Sequence, residues 1–258
     1  MEVVILCGGK GSRLSEETML KPKPMVEIGD MPIIWHIMKI YSNYGYKKFI
    51  LALGYKASYI KDYFYRARIN QCDFTLKMEP NIEPIFHNSM VDKDWEISFI
   101  DTGQDTLKGG RLKRLEKYIE GDDFFVTYGD GLANVNIKEL YEFHKRHNKI
   151  ATVTAVHPPS RFGEMELNGE DVLNFQEKPQ MESGYINGGF FVFKKELLNY
   201  LTITENCDLE FGVLQKISEQ KELKAFIHDG FWQCMDNVRE RDYLNELVKK
   251  NKAIWLKK

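Results

Sequence analysis

Val3-Val4-Ile5-Leu6-Cys7-Gly8-Gly9-Lys10-Gly11-Ser12-Arg13-Leu14 runs from a strand directly into a glycine-rich loop. Its first four residues are apolar without a polar break, and three of them are β-branched. That is the pattern of a strand buried on both faces. Gly8, Gly9 and Gly11 then let the backbone turn sharply and bring its N–H groups, with those of Lys10 and Ser12, close to an anion. Arg13 adds a planar fork for phosphate oxygens. Lys21-Pro22-Lys23-Pro24-Met25 follows, with two more cations on a stretch that its prolines stiffen and keep out of a regular helix. The spacing matches neither of the better-known phosphate loops. A Walker loop needs Gly-x-x-x-x-Gly-Lys-Ser/Thr, and a dinucleotide fingerprint needs a third glycine where Leu14 stands. Glycines, Arg13 and Lys23 converging after a strand still point to a phosphate site.

The 258 residues suffice for one sizeable α/β domain with a small appendage. A hydrophobic content of 43% and a charged content of 29% are ordinary for a globular protein. A formal net charge of -2 argues against a nucleic-acid partner bound through bulk charge. Cys7, Cys72, Cys207 and Cys234 are scattered and form no Cys-x-x-Cys pair, so they read as reduced thiols of a cytoplasmic protein. No apolar run approaches a membrane span, and no signal peptide is expected before the first strand.

Working outward, the pattern alternates. Helix is expected over 32–41, strand over 49–53, helix over 58–66 with Ser58 as cap, and strands over 74–78 and 95–100. A helix opened by Gly109-Gly110 follows, then a strand over 124–128 that ends at Gly129-Asp130-Gly131. Asn136 caps a helix over 137–147, and 151–156 is the next strand. Strands and helices joined by short loops predict a doubly wound, mostly parallel sheet of the Rossmann-like α/β class. Ligands in such sheets gather beyond the carboxyl ends of the strands, so the glycine loop and Gly129-Asp130-Gly131 are expected to share a cleft. The second half is less regular. It reads as a hairpin turning at Asn168-Gly169, strands over 188–193 and 223–227, and helices over 209–218 and 239–250. His36 reads as a structural histidine, and Lys21 as a solvated surface lysine.

Gly8-Gly9-Lys10-Gly11-Ser12-Arg13-Leu14 with Lys23-Pro24 downstream resembles the signature of the sugar-1-phosphate nucleotidylyltransferases. Ser15 to Gly29 and Asp101-Thr102-Gly103 through Gly109-Gly110-Arg111-Leu112-Lys113-Arg114 are similar to the cytidylyltransferases of that family. Cys7 departs from the alanine usual there, a small change in a buriable side chain. The resemblance implies a single nucleotidyltransferase domain over 1–258. Residues 1–130 would mainly hold nucleotide; 131–258 would supply a small β-rich sugar-phosphate part and a C-terminal helix. It implies a magnesium-dependent, in-line transfer from CTP to α-D-glucose 1-phosphate, giving CDP-glucose and pyrophosphate, by a homo-oligomer, hexameric among the cytidylyltransferases. Transfer from dTTP or UTP, and a non-catalytic subunit that binds a nucleotide sugar, are the alternatives.

Such a reaction needs little covalent work from the protein, but it must align two anions and neutralise their charge. Arg13, Lys23 and Asp130 are the expected catalytic residues. Asp130, between two glycines at a strand end, is free to approach a metal ion or to make an Asp-Gly turn. The family motif assigns it to magnesium together with Asp236. On residues alone, Asp236 is equally a cap for the helix after it. The resemblance places Leu6, Gly8, Gly9, Lys10, Gly11, Ser12, Arg13, Lys23 and Gly129 at the nucleotide. Thr106 and Arg111 are expected to serve the acceptors of cytosine. Glu177-Lys178-Pro179, a common exposed turn when read alone, resembles the motif for sugar hydroxyls and sugar phosphate. Gly163, Asn187 and Gly188 complete that pocket, with Phe162 where many relatives carry tyrosine.

Overall fold

A computed structural model describes residues 1–70, 72–79, 82–87, 94–158, 164–176 and 184–257. Its frame is a twisted sheet. In chain order the first strands and helices are β1 (Glu2–Leu6), α1 (Ile33–Ser42), β2 (Lys48–Leu53), α2 (Ala57–Asn70), β3 (Glu96–Asp101), α3 (Lys108–Arg114) and β4 (Asp123–Tyr128). Next come β5 (Gly131–Ala133), α4 (Ile137–His147), β6 (Ala151–Val156) and the hairpin β7 (Glu164–Asn168) with β8 (Asp171–Gln176). The chain continues through β9 (Ile186–Asn187), β10 (Phe191–Lys194), β11 (Leu223–His228), β12 (Trp232–Cys234) and α5 (Val238–Lys249).

The sheet runs β3-β2-β1-β4-β10-β6-β11. Its first four strands are parallel, in register at Leu51↔Phe99, Val4↔Ile50 and Val4↔Val126. Strand β11 is parallel to β6. The departures from the parallel pattern are β10, antiparallel to both β4 and β6, and the short β9, antiparallel to β6. The chain leaves β6 at one end of the sheet and re-enters through β9 at that same end, at Val156↔Ile186, so the returning strand must run the other way.

Both faces are covered, which is why β1 is an unbroken apolar run. Val3, Ile5, Leu51, Phe125 and Val192 point into one core, packed by Ile37 of α1 and Leu140 of α4. Val4, Ile50, Val126, Phe191 and Phe193 point into the other, packed by Leu112 of α3 and by Ile217. Alternate residues of one strand thus fill opposite layers. His36 is buried and structural, with Nε2 2.8 Å from the Ile28 carbonyl oxygen and Nδ1 accepting from the Trp255 indole at 3.2 Å.

Several local expectations shift. Ala57, not Ser58, begins α2. The expected strand over 74–78 is two residues, Phe74–Thr75, paired with Ile85–Phe86. The hairpin closes on Asn168↔Asp171, so its turn is Gly169-Glu170, with Gly169 at φ +63°. Lys21 is not freely solvated: it lies between Glu17 at 3.8 Å and Glu27 at 3.5 Å and is mostly covered. Asn136 caps α4 as expected, accepting from Glu139 N–H.

Candidate active site

Leu6 and Tyr128, the last residues of β1 and β4, are register partners. Parallel pairing therefore brings the two loops that follow them together at one edge of the sheet. Between them lies a cleft of about 610 Å³. From the first loop, Leu6, Gly8, Gly9, Gly11 and Ser12 line it, and from the second, Gly129 and Asp130. Lys23, Thr106, Arg111, Asn187, Gly188 and Asp236 complete the expected residues found there.

Lys23 reaches the cleft from a short 3-10 turn, Lys23–Met25, capped by extended Pro22. Its ammonium donates to Asp130 Oδ2 at 2.7 Å and to Asp236 Oδ1 at 2.6 Å. Burial disfavours the charge, but the two carboxylates outweigh it and hold the Lys23 pKa above its ordinary value. Asp236 arrives by strand pairing: β12 lies antiparallel to β5 at Cys234↔Gly131, and Met235 N–H donates to the Asp130 carbonyl. Asn237, not Asp236, caps α5, accepting from Glu240 N–H at 3.0 Å. The Asp236 carboxylate is thereby left to the cleft.

These two aspartates fit magnesium. They already converge on one cation, and Mg²⁺ characteristically takes one or two carboxylates with substrate phosphates and water filling the rest. Among the described residues no larger cluster of His, Cys, Asp and Glu offers a metal site. Cys234 lines the same wall, 3.9 Å from Asp236 Oδ2, but burial, Glu240, Asp236 and Asp130 push its thiol up to about 12. It stays protonated at neutral pH and is no nucleophile.

Arg111 lines the cleft without an outward-turned guanidinium. Nη1 donates to the Leu53 and Gly103 carbonyls and to Thr102 Oγ1; Nη2 donates to the Gly8 and Gln104 carbonyls. Arg111 as a residue is 4% exposed. A Cβ on Gly8 would lie 2.1 Å from Arg111 Cζ, so the motif glycine is where the backbone must pass against this guanidinium. Lys10 turns to Asp105 at 2.8 Å, an exposed pair at the surface and not part of the cleft lining.

At another part of the wall, Asn187 lines the cleft with its amide engaged. Nδ2 donates to Tyr128 Oη at 2.9 Å and Oδ1 accepts from Gly189 N–H at 2.9 Å. The Tyr128 phenol, kept protonated by burial and by Glu210, donates to Glu210 Oε1 at 2.6 Å. Lys108 pairs with the same carboxylate, and its ammonium lies 4.8 Å from the centre of the Tyr128 ring. Trp232 Nε1 donates to the Gly188 carbonyl at 2.8 Å. Sequence reasoning missed Glu210 and Trp232. Tyr128 had a signal, its place directly before Gly129-Asp130; Glu210, on a π-helical turn (Leu209–Leu214), had none. Gly163, Glu177, Lys178 and the Arg13 side chain lie outside the described residues.

A family model described as Nucleotidyl transferase matches residues 2–240. The chain is 46% identical over 256 residues to glucose-1-phosphate cytidylyltransferase of Salmonella typhimurium, covering 99% of this chain and 98% of that one. It is 38% identical over 255 residues to the probable glucose-1-phosphate cytidylyltransferase of Bacillus subtilis, with 99% of each covered. Among solved structures, HddC from Yersinia pseudotuberculosis superposes with a TM-score of 0.67 at 24% identity, over 96% of this chain and 99% of that chain, a likeness of fold. With the glycine loop, Lys23 and the paired aspartates meeting in one cleft, and with relatives matched over nearly their whole length, the chain belongs to the nucleotidyl transferase family.

Proposed function

We propose that the protein transfers the cytidylyl group of CTP to α-D-glucose 1-phosphate. The observation that carries this reading is the meeting of Lys23, Asp130 and Asp236 beneath the glycine loop, in a chain so similar to two proteins named for that reaction. A phosphate oxygen of glucose 1-phosphate attacks the α-phosphorus of CTP. The bond from that phosphorus to the β-phosphate oxygen breaks, and pyrophosphate leaves with its electrons. No covalent enzyme intermediate is required.

The loop amides of Gly8, Gly9 and Gly11, with Ser12 and the Arg13 side chain, hold the triphosphate, and Lys23 follows the charge onto the departing pyrophosphate. Asp130 and Asp236 would hold Mg²⁺, which when bound supplies positive charge against the phosphates of the two substrates. Thr106 serves the base. Arg111 serves the triphosphate by fixing the Gly8 turn, and Gly129 by letting backbone approach. Gly163, Glu177, Lys178, Asn187 and Gly188 take the sugar phosphate. Residues 1–130 thus mainly carry nucleotide and 131–258 mainly the acceptor, within one domain.

The same reading makes the protein a cytoplasmic homo-oligomer, a hexamer by resemblance. Four free cysteines support the compartment. No helix among the described residues is long and apolar enough to cross a membrane. Exposed Leu76, Met78 and Ile85 support self-association. Phosphorus-31 NMR of CTP, glucose 1-phosphate and Mg²⁺ with the protein tests the chemistry. Growth of a nucleotide-sugar diphosphate and pyrophosphate in equal amounts is expected, and unchanged substrates would refute it.

A further inference from the structure

We infer that Arg114 is a positioning residue that fixes the direction in which the Thr106 hydroxyl gives its proton, and so which base the cleft accepts. The inference rests on the CTP reading above and deepens it.

Arg114 is the last residue of α3, one helical turn beyond Arg111. Its Nη1 donates to Thr106 Oγ1 at 2.9 Å and to the Thr102 carbonyl at 2.7 Å. Nε and Nη2 both donate to the Ile203 carbonyl, at 3.2 and 3.0 Å. The guanidinium is therefore anchored on two backbone segments, and the Thr106 hydroxyl is presented to a donor that cannot move freely. The geometry depends on Gly103 at φ +90°. A Cβ there would stand 2.5 Å from Arg114 Nη1 and 2.5 Å from Thr106 Oγ1, in the middle of the hydrogen bond. Thr106 is 3% exposed and lines the cleft.

A hydroxyl has one proton and two lone pairs, while a guanidinium only donates. Arg114 thus occupies a lone pair of Thr106 Oγ1 and turns its proton away. Among the described residues no acceptor is found for that proton, and Thr106 is a lining residue of the cleft. The cleft consequently presents a fixed donor just before the start of α3. Cytosine offers acceptors on its pairing edge at the ring nitrogen and the carbonyl; uracil carries an N–H at that ring position. A fixed donor set opposite the ring nitrogen is satisfied by cytosine and meets another donor in uracil, and an unpaired polar group in a closed site is a strong ground for rejection. With Arg114 removed, the hydroxyl rotates and accepts from uracil as readily as it donates to cytosine.

The test compares kcat/KM for CTP and UTP, with glucose 1-phosphate and Mg²⁺, in the wild type and in Arg114→Met, Arg114→Lys, Thr106→Val and the Met/Val double variant. The CTP-to-UTP preference is expected to fall about tenfold in Arg114→Met, one hydrogen bond's worth, and to fall through KM more than kcat. Arg114→Lys, still a donor only, retains most of the preference. Thr106→Val loses it to a similar degree, and the double variant loses no more than Thr106→Val alone. Equal losses for both nucleotides in Arg114→Met, or additive losses in the double variant, would overturn the assignment and leave Arg114 as a loop tie. A wild type indifferent to base would sink the CTP reading and this one with it. A selective wild type whose variants keep their selectivity sinks this one alone.

Discussion

Lys23 Nζ lies 2.7 Å from Asp130 Oδ2, an ion pair spanning 107 residues of sequence at the floor of the cleft. Asp236 closes on the same ammonium. Two carboxylates suited to a divalent ion are thus bridged by the protein's own cation, which substrate phosphates must draw away.

On the proposed reading a divalent metal would compete with Lys23 for these carboxylates, which gives opposite effects on binding and on turnover. In Lys23→Met, Mn²⁺ is expected to bind the nucleotide-free protein more tightly than in the wild type, as read by electron paramagnetic resonance of free Mn²⁺. Turnover is expected to fall by about 10²-fold or more as the leaving group loses its cation. Unchanged Mn²⁺ affinity would show that the ammonium does not hold the site.

Arg111 gathers carbonyls from Gly8, Leu53, Gly103 and Gln104, so its removal leaves buried acceptors unpaired. Arg111→Met is expected to cost about 1–3 kcal/mol of stability in chemical denaturation. On the proposed reading the Gly8 turn serves the triphosphate, so CTP and UTP affinities are expected to weaken together in calorimetry. A loss confined to CTP would make Arg111 a direct reader of the base.

His144 gives the fold an acid-sensitive point away from the cleft. Its Nδ1 is 2.8 Å from Thr152 Oγ1, and its buried Nε2 faces Asp123 Oδ1 at 3.7 Å without a hydrogen bond. Burial pushes its pKa down from 6.5 to about 4; Asp123 opposes this, while His147, Lys194 and Lys145 add to it. Between those values the unfolded chain binds the extra proton. The stability contribution is complete above pH 6.5 and is lost as pH falls toward 4, by about 1.4 kcal/mol per unit of depression. His144→Gln is expected to flatten the decline of unfolding free energy across that window, and an unaltered slope would assign the decline to other groups.

Legibility in the sequence followed the range of the interactions. The glycine loop and Asp130 could be placed in one cleft because each directly follows a strand, and parallel strands present the same ends. Asp236 needed the family likeness, since only the β12–β5 pairing, a hundred residues apart, brings it to Asp130. The direction of β10 was hidden because an apolar run reads the same either way. Arg111 beside glycines looked like a ligand contact; that it is spent on four backbone carbonyls depends on loops far from it in sequence. Glu210 carries no motif, and its bond to Tyr128 joins residues 82 positions apart in the chain.

The most direct test of the central claim is pyrophosphate release with glucose 1-phosphate and each of CTP, UTP, dTTP, ATP and GTP, in the presence of Mg²⁺ and of a chelator. Release with CTP and Mg²⁺, absent with the chelator and at least about tenfold slower with every other nucleotide, is the expected result. Preferred release with another nucleotide would contradict the cytidylyl assignment, and silence with all five would contradict the reaction itself.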